Sequence, residues 1–277
     1  MINGDTKLIA HVGYPTTTFK SPMIYNPWFD KNKINAAVVP LGVKREDFAV
    51  DFPAICSFSN FHGALITMPH KVAVIDLLDT VSTAVKVAGS CNAVRRNAEG
   101  RLEGDMFDGE GFVRGVARNG GTIQSKRVLV VGTGGVGSAI AASAAGAGAA
   151  EVALYDVHSQ SAQELANRLQ LHYPALRVAV GSNDPEGFDV VVNATPLGMK
   201  PGDPMPLDVS RLSPSTFVGE VVLKQETTSF LAAAKARGCP TQVGVDMLFE
   251  QIPAYLEYFG FPSTTAADLR GVAEIAY

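Results

Sequence analysis

Short apolar runs of strand length alternate with helix-compatible stretches through the first hundred residues. Three of these runs are predicted strands, at residues 8–12, 36–41 and 64–67. Helix-compatible stretches begin at Pro22 and Lys44, and strands joined through helices are typical of parallel pairing. Residues 91–95 and 101–104 flank a turn-rich tetrad, which predicts a hairpin that closes the first unit.

The alternation becomes more regular from Arg127 onward. Four further strands are predicted, at residues 128–131, 152–155, 190–194 and 217–222, and each is followed by a helical or turn segment. Two more helical stretches follow Gly244, at residues 247–258 and 264–277. We therefore predict an α/β protein with an N-terminal α/β domain over residues 1–104, a doubly wound domain over residues 105–239 and C-terminal helices over residues 240–277.

The composition limits the kinds of partner. The 277 residues are 47% hydrophobic and 18% charged, which is enough to bury the cores of two domains. The net charge of −4 gives no broad positive field, so we expect no nucleic-acid partner. No stretch reaches the roughly 18 apolar residues of a membrane span, and the first residues lack the order of a signal peptide, so we expect a cytoplasmic protein without a membrane partner. Cys56, Cys91 and Cys239 lack zinc-ligand spacing, so we expect reduced thiols and no metal.

A glycine-rich motif, GTGGVG at residues 132–137, joins a predicted strand to a helix rich in Ala and Ser. Gly132 permits a tight turn, and Gly134 lets the backbone approach a pyrophosphate. The first N–H groups of the helix, at Gly135 and Val136, lend partial positive charge to such an anion. The motif in this context predicts a Rossmann dinucleotide-binding domain.

Asp156 ends the next predicted strand and points to the identity of the dinucleotide. A carboxylate at this position can accept both hydroxyls of an adenosine ribose. Val157 follows it, and no Arg nearby could neutralise a 2′-phosphate, so charge repulsion predicts NAD rather than NADP. The alternative that Asp156 only caps the following turn or helix stays open.

Seven short motifs follow one another in order along the chain. They are GYPTTTFKSP at residues 13–22, ITMPHK at 66–71, SCNA at 90–93, LEGDMFDG at 102–109, the glycine motif with Ala139, NATPLGM at 193–199 and GVDMLFEQ at 244–251. Together they resemble the shikimate dehydrogenase family over nearly the whole chain. The resemblance implies an N-terminal substrate domain onto which the C-terminal helices return.

The resemblance also implies the reaction, a reversible hydride transfer between the dinucleotide and the 3-hydroxyl of shikimate or quinate. Oxidising a secondary alcohol needs a general base for the hydroxyl proton. Lys71 and Asp108 match the family's catalytic pair in the cleft between the domains. Lys71 would exchange the proton, and Asp108 would position Lys71 and hold the hydroxyl.

The matched motifs supply the remaining candidate site residues. Substrate contacts are expected from Ser21, Thr67, Asn92 and Gln251, with Phe19 in the same loop as Ser21. Beyond the glycine motif and Asp156, cofactor contacts are expected from Thr195, Met199 and Gly244. A homodimer is among the open options for the assembly.

Three positions depart from the family pattern. Phe19, Leu65 and Leu223 stand where the family has a Ser, an Asn and a Tyr that hold the substrate carboxylate. Each lost hydrogen bond to a charged group weakens binding by about 1.5–3 kcal/mol if nothing replaces it. Residues 16–18, all Thr, or Lys20 are candidate replacements, and the threonines can equally be plain turn residues. We therefore predict a divergent member with an altered carboxylate pocket.

The sequence leaves several hypotheses about the function open. The leading one is an NAD-preferring shikimate or quinate dehydrogenase, with a related cyclic hydroxy compound such as an aminoshikimate as the alternative substrate. A weakly active protein that senses NAD is a second class, against which the retention of Lys71 and Asp108 argues. A methylene-tetrahydrofolate dehydrogenase-like enzyme would share the outline of the architecture but not the spacing of these two residues.

Overall fold

The computed structural model describes residues 2–200, 202–223 and 227–274, and these residues form two compact units. The first unit is made of the described parts of Met1–Val85, Ser90–Met106 and Ile252–Tyr277, and the second of Lys86–Gly89 and the described parts of Phe107–Gln251. No helix in the described ranges is long and apolar enough to cross a membrane.

The first unit contains a six-stranded sheet in the order β2-β1-β3-β5-β6-β4. Its strands are β1 (Lys7–Gly13), β2 (Ala36–Gly42), β3 (Phe61–Ile66), β4 (Thr80–Val81), β5 (Ala93–Arg96) and β6 (Leu102–Asp105). As the pattern predicted, β1 is parallel to both β2 and β3, and β5 and β6 form an antiparallel hairpin. Helices α1 (Pro22–Lys31) and α2 (Phe48–Cys56) belong to this unit, whereas α3 (Thr83–Ala88) begins in it and belongs to the second unit from Lys86 onward.

The second unit contains a six-stranded sheet in the order β12-β11-β10-β7-β8-β9, in which every pair is parallel. Its elements are α4 (Asp108–Arg118), β7 (Arg127–Val131), α5 (Gly135–Gly146), β8 (Glu151–Tyr155), α6 (Ser159–His172), β9 (Arg177–Val180), β10 (Val190–Asn193), β11 (Phe217–Glu220), α7 (Ser229–Ala236), β12 (Thr241–Gln242) and the part of α8 (Gly244–Tyr258) that ends at Gln251. The strand order reverses between β7 and β10, so the carboxyl ends of these two strands mark the switch point where doubly wound sheets bind ligands.

The observed division differs from the predicted boundaries at residues 104 and 240. The first unit extends to Met106, and the second continues to Gln251 rather than ending at residue 239. The reason is that β12 pairs with β11 in the second sheet, so the chain after residue 240 first completes the dinucleotide-binding fold. Only the part from Ile252 onward belongs to the first unit.

The last helix is shorter in the structure than the sequence predicted. Instead of residues 264–277, α9 covers Ala266–Arg270, and its N-cap Thr265 accepts the backbone N–H of Asp268 through its side chain. Residues 271–274 are not helical, and residues 275–277 lie outside the described residues. The cap fixes the start of the helix, as Ser and Thr caps generally do.

Candidate active site

The glycine-rich turn between β7 and α5 leaves no room for side chains at two positions. Gly132 has φ +99°, and a Cβ on it would lie 2.8 Å from the backbone of Ala194. A Cβ on Gly137 would lie 1.9 Å from the carbonyl oxygen of Gly132. Gly134, by contrast, has no described atom within 4 Å of such a Cβ. The turn is therefore closed on its protein side and open over Gly134, the geometry that a pyrophosphate requires.

Asp156 follows β8 and binds the glycine-rich turn. Its Oδ2 accepts the backbone N–H of Thr133 at 2.7 Å and the Thr133 hydroxyl at 3.0 Å, and its Oδ1 accepts the N–H of His158 at 2.9 Å. Burial alone would raise the pKa of Asp156, but these hydrogen bonds outweigh burial and lower it. Asp156 thus caps local backbone groups and carries a fixed negative charge beside Val157, which is 82% exposed.

The loop after β10 lies against the same turn. The Asn193 side-chain oxygen accepts the N–H of Thr195 at 3.1 Å and its hydroxyl at 2.6 Å, which fixes the start of the loop. A Cβ on Gly132 would lie 3.0 Å from Thr195 Cγ2, so this loop lies at the switch point. Met199, farther along the loop, is 38% exposed.

Gly244 begins α8 and lets that helix pack closely on the segment after β11. A Cβ on Gly244 would lie 2.2 Å from the carbonyl oxygen of Val222, so a larger residue has no space there. Leu223, the next residue of that segment, is 42% exposed. The second unit therefore gathers the expected cofactor residues around the carboxyl ends of β7, β8, β10 and β11.

Asp108 and Gln251 are brought together in the second unit by glycines of α4. Asp108 is the first residue of α4 and is 5% exposed. A Cβ on Gly109 would lie 2.0 Å from the carbonyl oxygen of Ala139, so the first turn of α4 contacts the backbone of α5. A Cβ on Gly111 would lie 2.6 Å from the Cβ of Gln251 on α8. Close helix packing thus fixes both residues relative to the helix that starts at the glycine-rich turn.

The Gln251 side chain carries unused hydrogen-bonding capacity. Its Oε1 is buried and has no hydrogen-bond partner within the described part of the chain. A buried acceptor left in that state costs about 1–3 kcal/mol. A ligand hydroxyl that donates a hydrogen bond to Oε1 would recover this energy.

In the first unit, the loops after β1 and β3 are joined to each other. Tyr14 N–H donates to the carbonyl of Met68 at 3.0 Å, and Thr67 N–H donates to the carbonyl of Val12 at 2.9 Å. A Cβ on Gly13 would lie 2.4 Å from Thr67 Cγ2. The loop that begins at Gly13 and the motif that contains Lys71 are therefore fixed together at the carboxyl ends of two parallel strands.

Lys71 and Asn92 flank the same strand ends. The carbonyl of half-buried Lys71 accepts the N–H of Cys91 at 2.7 Å, and the carbonyl of Asn92 accepts the N–H of Ile66 at 2.8 Å. Asn92 is 1% exposed. Ser21 precedes α1, and its carbonyl accepts the N–H groups of the first helical turn. The first unit thus brings Thr67, Lys71 and Asn92 together, whereas Ser21 lies at the start of α1.

Phe19 turns inward and stacks on a residue that the sequence analysis missed. Its ring centroid lies 4.0 Å from that of His11, with the two planes at 23°. His11 is paired in register with Leu65 across β1 and β3, so both side chains lie on one face of the sheet. The only signal in the sequence was a histidine within an apolar strand, two residues before the loop.

The candidate replacements in this loop are only partly described. Residues 16–18 form a short 3-10 helix, and Thr16 Cγ2 would lie 3.2 Å from a Cβ on Gly42. Thr16 therefore packs against β2. The side chain of Thr18 lies outside the described residues, and Thr17 is exposed.

Comparison with known proteins identifies the first unit by its sequence. The family model described as the shikimate dehydrogenase substrate binding domain matches residues 12–94. The shikimate dehydrogenase (NADP(+)) of Acidiphilium cryptum is 33% identical over 276 residues, which cover 99% of this chain and 98% of that protein. Similarity at this level extends through both units.

Solved structures with a similar fold match this chain over nearly its full length. A shikimate 5-dehydrogenase from Listeria monocytogenes, in complex with shikimate and NAD, superposes with a TM-score of 0.91 at 24% identity and covers 98% of this chain and 97% of its own. The 5-ketofructose reductase of Gluconobacter sp. has a TM-score of 0.88 at 27% identity, covering 97% and 98%. The quinate dehydrogenase from Corynebacterium glutamicum, in complex with NAD, has a TM-score of 0.85 at 27% identity, covering 96% and 98%. This chain, with its two α/β units and its dinucleotide turn, belongs to the shikimate dehydrogenase family.

Proposed function

We propose that this chain is an oxidoreductase that transfers hydride reversibly between NAD(H) and the 3-hydroxyl of shikimate or quinate. The observation that carries the proposal is that Asp108 begins α4, which packs against α5, the helix that begins at the dinucleotide turn, while Gln251 lies on α8 against Gly111 of α4. Full-length similarity to proteins named shikimate dehydrogenase supports the same reaction class. When bound, the nicotinamide ring supplies the hydride acceptor.

The chain's own residues supply proton transfer and orientation. We assign to Lys71 the removal of the hydroxyl proton during oxidation and its return during reduction. Asp108 accepts a hydrogen bond from the reacting hydroxyl, and the unpaired Oε1 of Gln251 accepts one from a neighbouring ring hydroxyl. Asn92, nearly fully buried, contributes a further polar contact to the ring.

Substitution of the proposed pair tests these roles. Lys71→Ala and Asp108→Ala are expected to lower kcat by about a hundred- to ten-thousand-fold, because loss of general acid or base catalysis has this size. The assay follows reduced nicotinamide with shikimate or quinate and with NAD or NADP. Lys44→Ala, at an exposed lysine of the first unit, is the matched control and should leave kcat unchanged. Near-full turnover by either folded variant would refute its assigned role.

We also propose that NAD is preferred over NADP, although two relatives that are 33% and 30% identical are named for NADP(+). The support is the charge of Asp156, whose hydrogen bonds hold its carboxylate ionised. A 2′-phosphate near it would meet repulsion of about 1–4 kcal/mol per unit charge at 4 Å. No Arg follows Asp156 to offset this, since Val157 and His158 come next.

The cofactor assignment is tested by two substitutions. Asp156→Asn and Val157→Arg should each shift the ratio of kcat/KM toward NADP, the first by removing repulsion and the second by adding a cation. Val50→Arg, at a valine that is 74% exposed, controls for the added charge. A preference of the unmodified enzyme for NADP would overturn the assignment.

A related cyclic hydroxy compound is the second candidate substrate. The observation that favours it is the inward position of Phe19 on His11, at the place where the family pattern has a serine. The family neighbours include one named for quinate and one named for 5-ketofructose, so this fold serves more than one substrate. A purely NAD-sensing role is disfavoured by the retention of Lys71 and Asp108.

A further inference from the structure

His11 is the centre of a cluster in the first unit that we call the His11 cluster, formed by His11, Phe19, Leu65 and Thr67. Phe19 stacks on the imidazole at 4.0 Å, and Leu65 lies beside it in the strand register. A Cβ on Gly13 would lie 2.9 Å from Phe19 Cζ and 2.4 Å from Thr67 Cγ2, so these two side chains converge at the strand ends. Two of the four residues stand at the positions that depart from the family's carboxylate-binding pattern.

The environment that the His11 cluster forms is unfavourable for a carboxylate. Phe19 and Leu65 offer no donors, and Leu65 is 4% exposed, so a charged group beside them would lose water without gaining hydrogen bonds. His11 does not supply a compensating cation, because burial first and the charge of Lys71 second lower its pKa to about 4. The imidazole is therefore neutral at physiological pH.

The same imidazole has hydrogen-bonding capacity that the protein does not use. His11 is only 6% exposed. Its Nδ1 atom is buried and has no hydrogen-bond partner in the described ranges. Buried polar groups in native proteins are nearly always paired, and the exceptions call for a ligand or a functional reason. A neutral imidazole can donate from one nitrogen and accept at the other.

We propose that His11 is a specificity-determining residue that hydrogen-bonds an uncharged polar substituent of the substrate, such as a hydroxyl, a hydroxymethyl or an ester carbonyl, where the family binds a carboxylate. The proposal rests on the proposed function, since it concerns the substrate of the same site. Phe19 and Leu65 provide the apolar surface against which the uncharged substituent packs, and Thr67 remains as a second polar group. The enzyme then selects neutral cyclic polyols and their ketones over the corresponding acids.

Shikimate and methyl shikimate form a matched pair of probes, because the ester differs only in the charge and size of the carboxyl group. We would measure the affinity of each by calorimetry in the presence of saturating NAD, and turnover of each in parallel. The unmodified protein should bind methyl shikimate at least about tenfold more tightly, since an unmet hydrogen bond to a charged group has that effect or more. Binding is measured separately so that specificity is tested even where turnover is slow.

Variants of the His11 cluster test the role of the imidazole. His11→Leu should weaken the binding of methyl shikimate about 3- to 10-fold, and the change should appear in KM rather than in kcat. The affinity for shikimate should stay within about twofold of that of the unmodified protein. His11→Gln, which keeps a hydrogen-bonding group, should recover part of the loss. Phe19→Ser combined with Leu65→Asn should reverse the preference toward shikimate.

His62→Leu, at a half-buried histidine, is the control for loss of a histidine side chain. His62 lies on β3, and because side chains alternate along a strand it faces the side opposite Leu65. Its Nε2 contacts the carbonyl of Phe259 at 2.7 Å, so the variant removes a histidine hydrogen bond outside the His11 cluster. It should change the affinity of both probes equally.

The outcomes separate this proposal from the proposed function. Tighter binding of shikimate than of its ester by the unmodified protein would overturn the role of His11 and would point to Lys20 or the threonines as carboxylate ligands. Equal effects of His11→Leu on both probes would overturn it too, as would the absence of binding by either. The expected order of binding without any turnover would support the role of His11 and refute the proposed function.

Discussion

Gly109 determines how closely α4 approaches α5, and through this packing it determines where Asp108 lies. A Cβ at this position would be 2.0 Å from the carbonyl oxygen of Ala139 and 2.4 Å from Ser143 Oγ. An ordinary contact begins near 3.4 Å, so Gly109→Ala forces the two helices apart by roughly 1.4 Å. Because the blocking atom is backbone, rotation of a side chain cannot relieve the clash.

This displacement has two measurable effects. Overpacking of this kind lowers the free energy of unfolding by about 1–3 kcal/mol. A misplacement of about 1 Å at a catalytic group lowers the rate by about a hundredfold, so kcat should fall by that factor. Steady-state kinetics give kcat, and chemical denaturation gives the free energy of unfolding.

Gly4→Ala is the matched control, because no described atom lies within 4 Å of a Cβ at Gly4. It should leave both quantities unchanged. A folded Gly109→Ala variant whose kcat stays within about threefold of the unmodified enzyme would refute the argument that the α4–α5 contact positions Asp108.

Three further predictions follow from buried groups of the second unit. Phe112→Ala empties a fully buried site and should lower the free energy of unfolding by about 3–5 kcal/mol in denaturant titrations. Burial raises the pKa of Glu220 to about 7 against two hydrogen bonds that lower it, so the folded protein holds an extra proton between pH 4.5 and pH 7 and loses stability as pH rises through that window. Glu220→Gln should remove this decline, worth about 3 kcal/mol, and an unchanged profile of Tm against pH would contradict it. Gly137→Ala places a Cβ 1.9 Å from the Gly132 oxygen and should weaken NAD binding at least tenfold in fluorescence titrations, about 1.4 kcal/mol.

The fold could be predicted where the sequence pattern is local. The predicted strands of both sheets match the observed ones to within a few residues, since each is a contiguous apolar run between turn signals. The strand β9 was missed because it lies at the sheet edge with no buried residue, and β4 and β12 were missed because each has only two residues. The late boundary at Gln251 depends on the pairing of β12, which the sequence pattern does not encode.

In the candidate site too, features encoded in one short segment could be predicted, and features that depend on distant parts of the chain could not. The dinucleotide turn could be predicted because its glycines act through the backbone of one short segment. The direction of Phe19 could not, because it depends on the register that places His11 beside Leu65 and on the return of the loop onto β1. For Asp156 the sequence left two roles open, and the structure shows the capping hydrogen bonds while the ribose contact remains a prediction.

The division into units has a consequence for the synthesis of the chain. Nearly all of the second unit comes from one stretch, Phe107–Gln251, so it can complete its core as soon as that stretch has left the ribosome. The first unit cannot, because a Cβ on Gly63 would lie 2.5 Å from the ring of Phe259 and Trp28 donates to Thr264 at 3.1 Å. The segment translated first therefore cannot complete its core until residues after Gln251 have been translated.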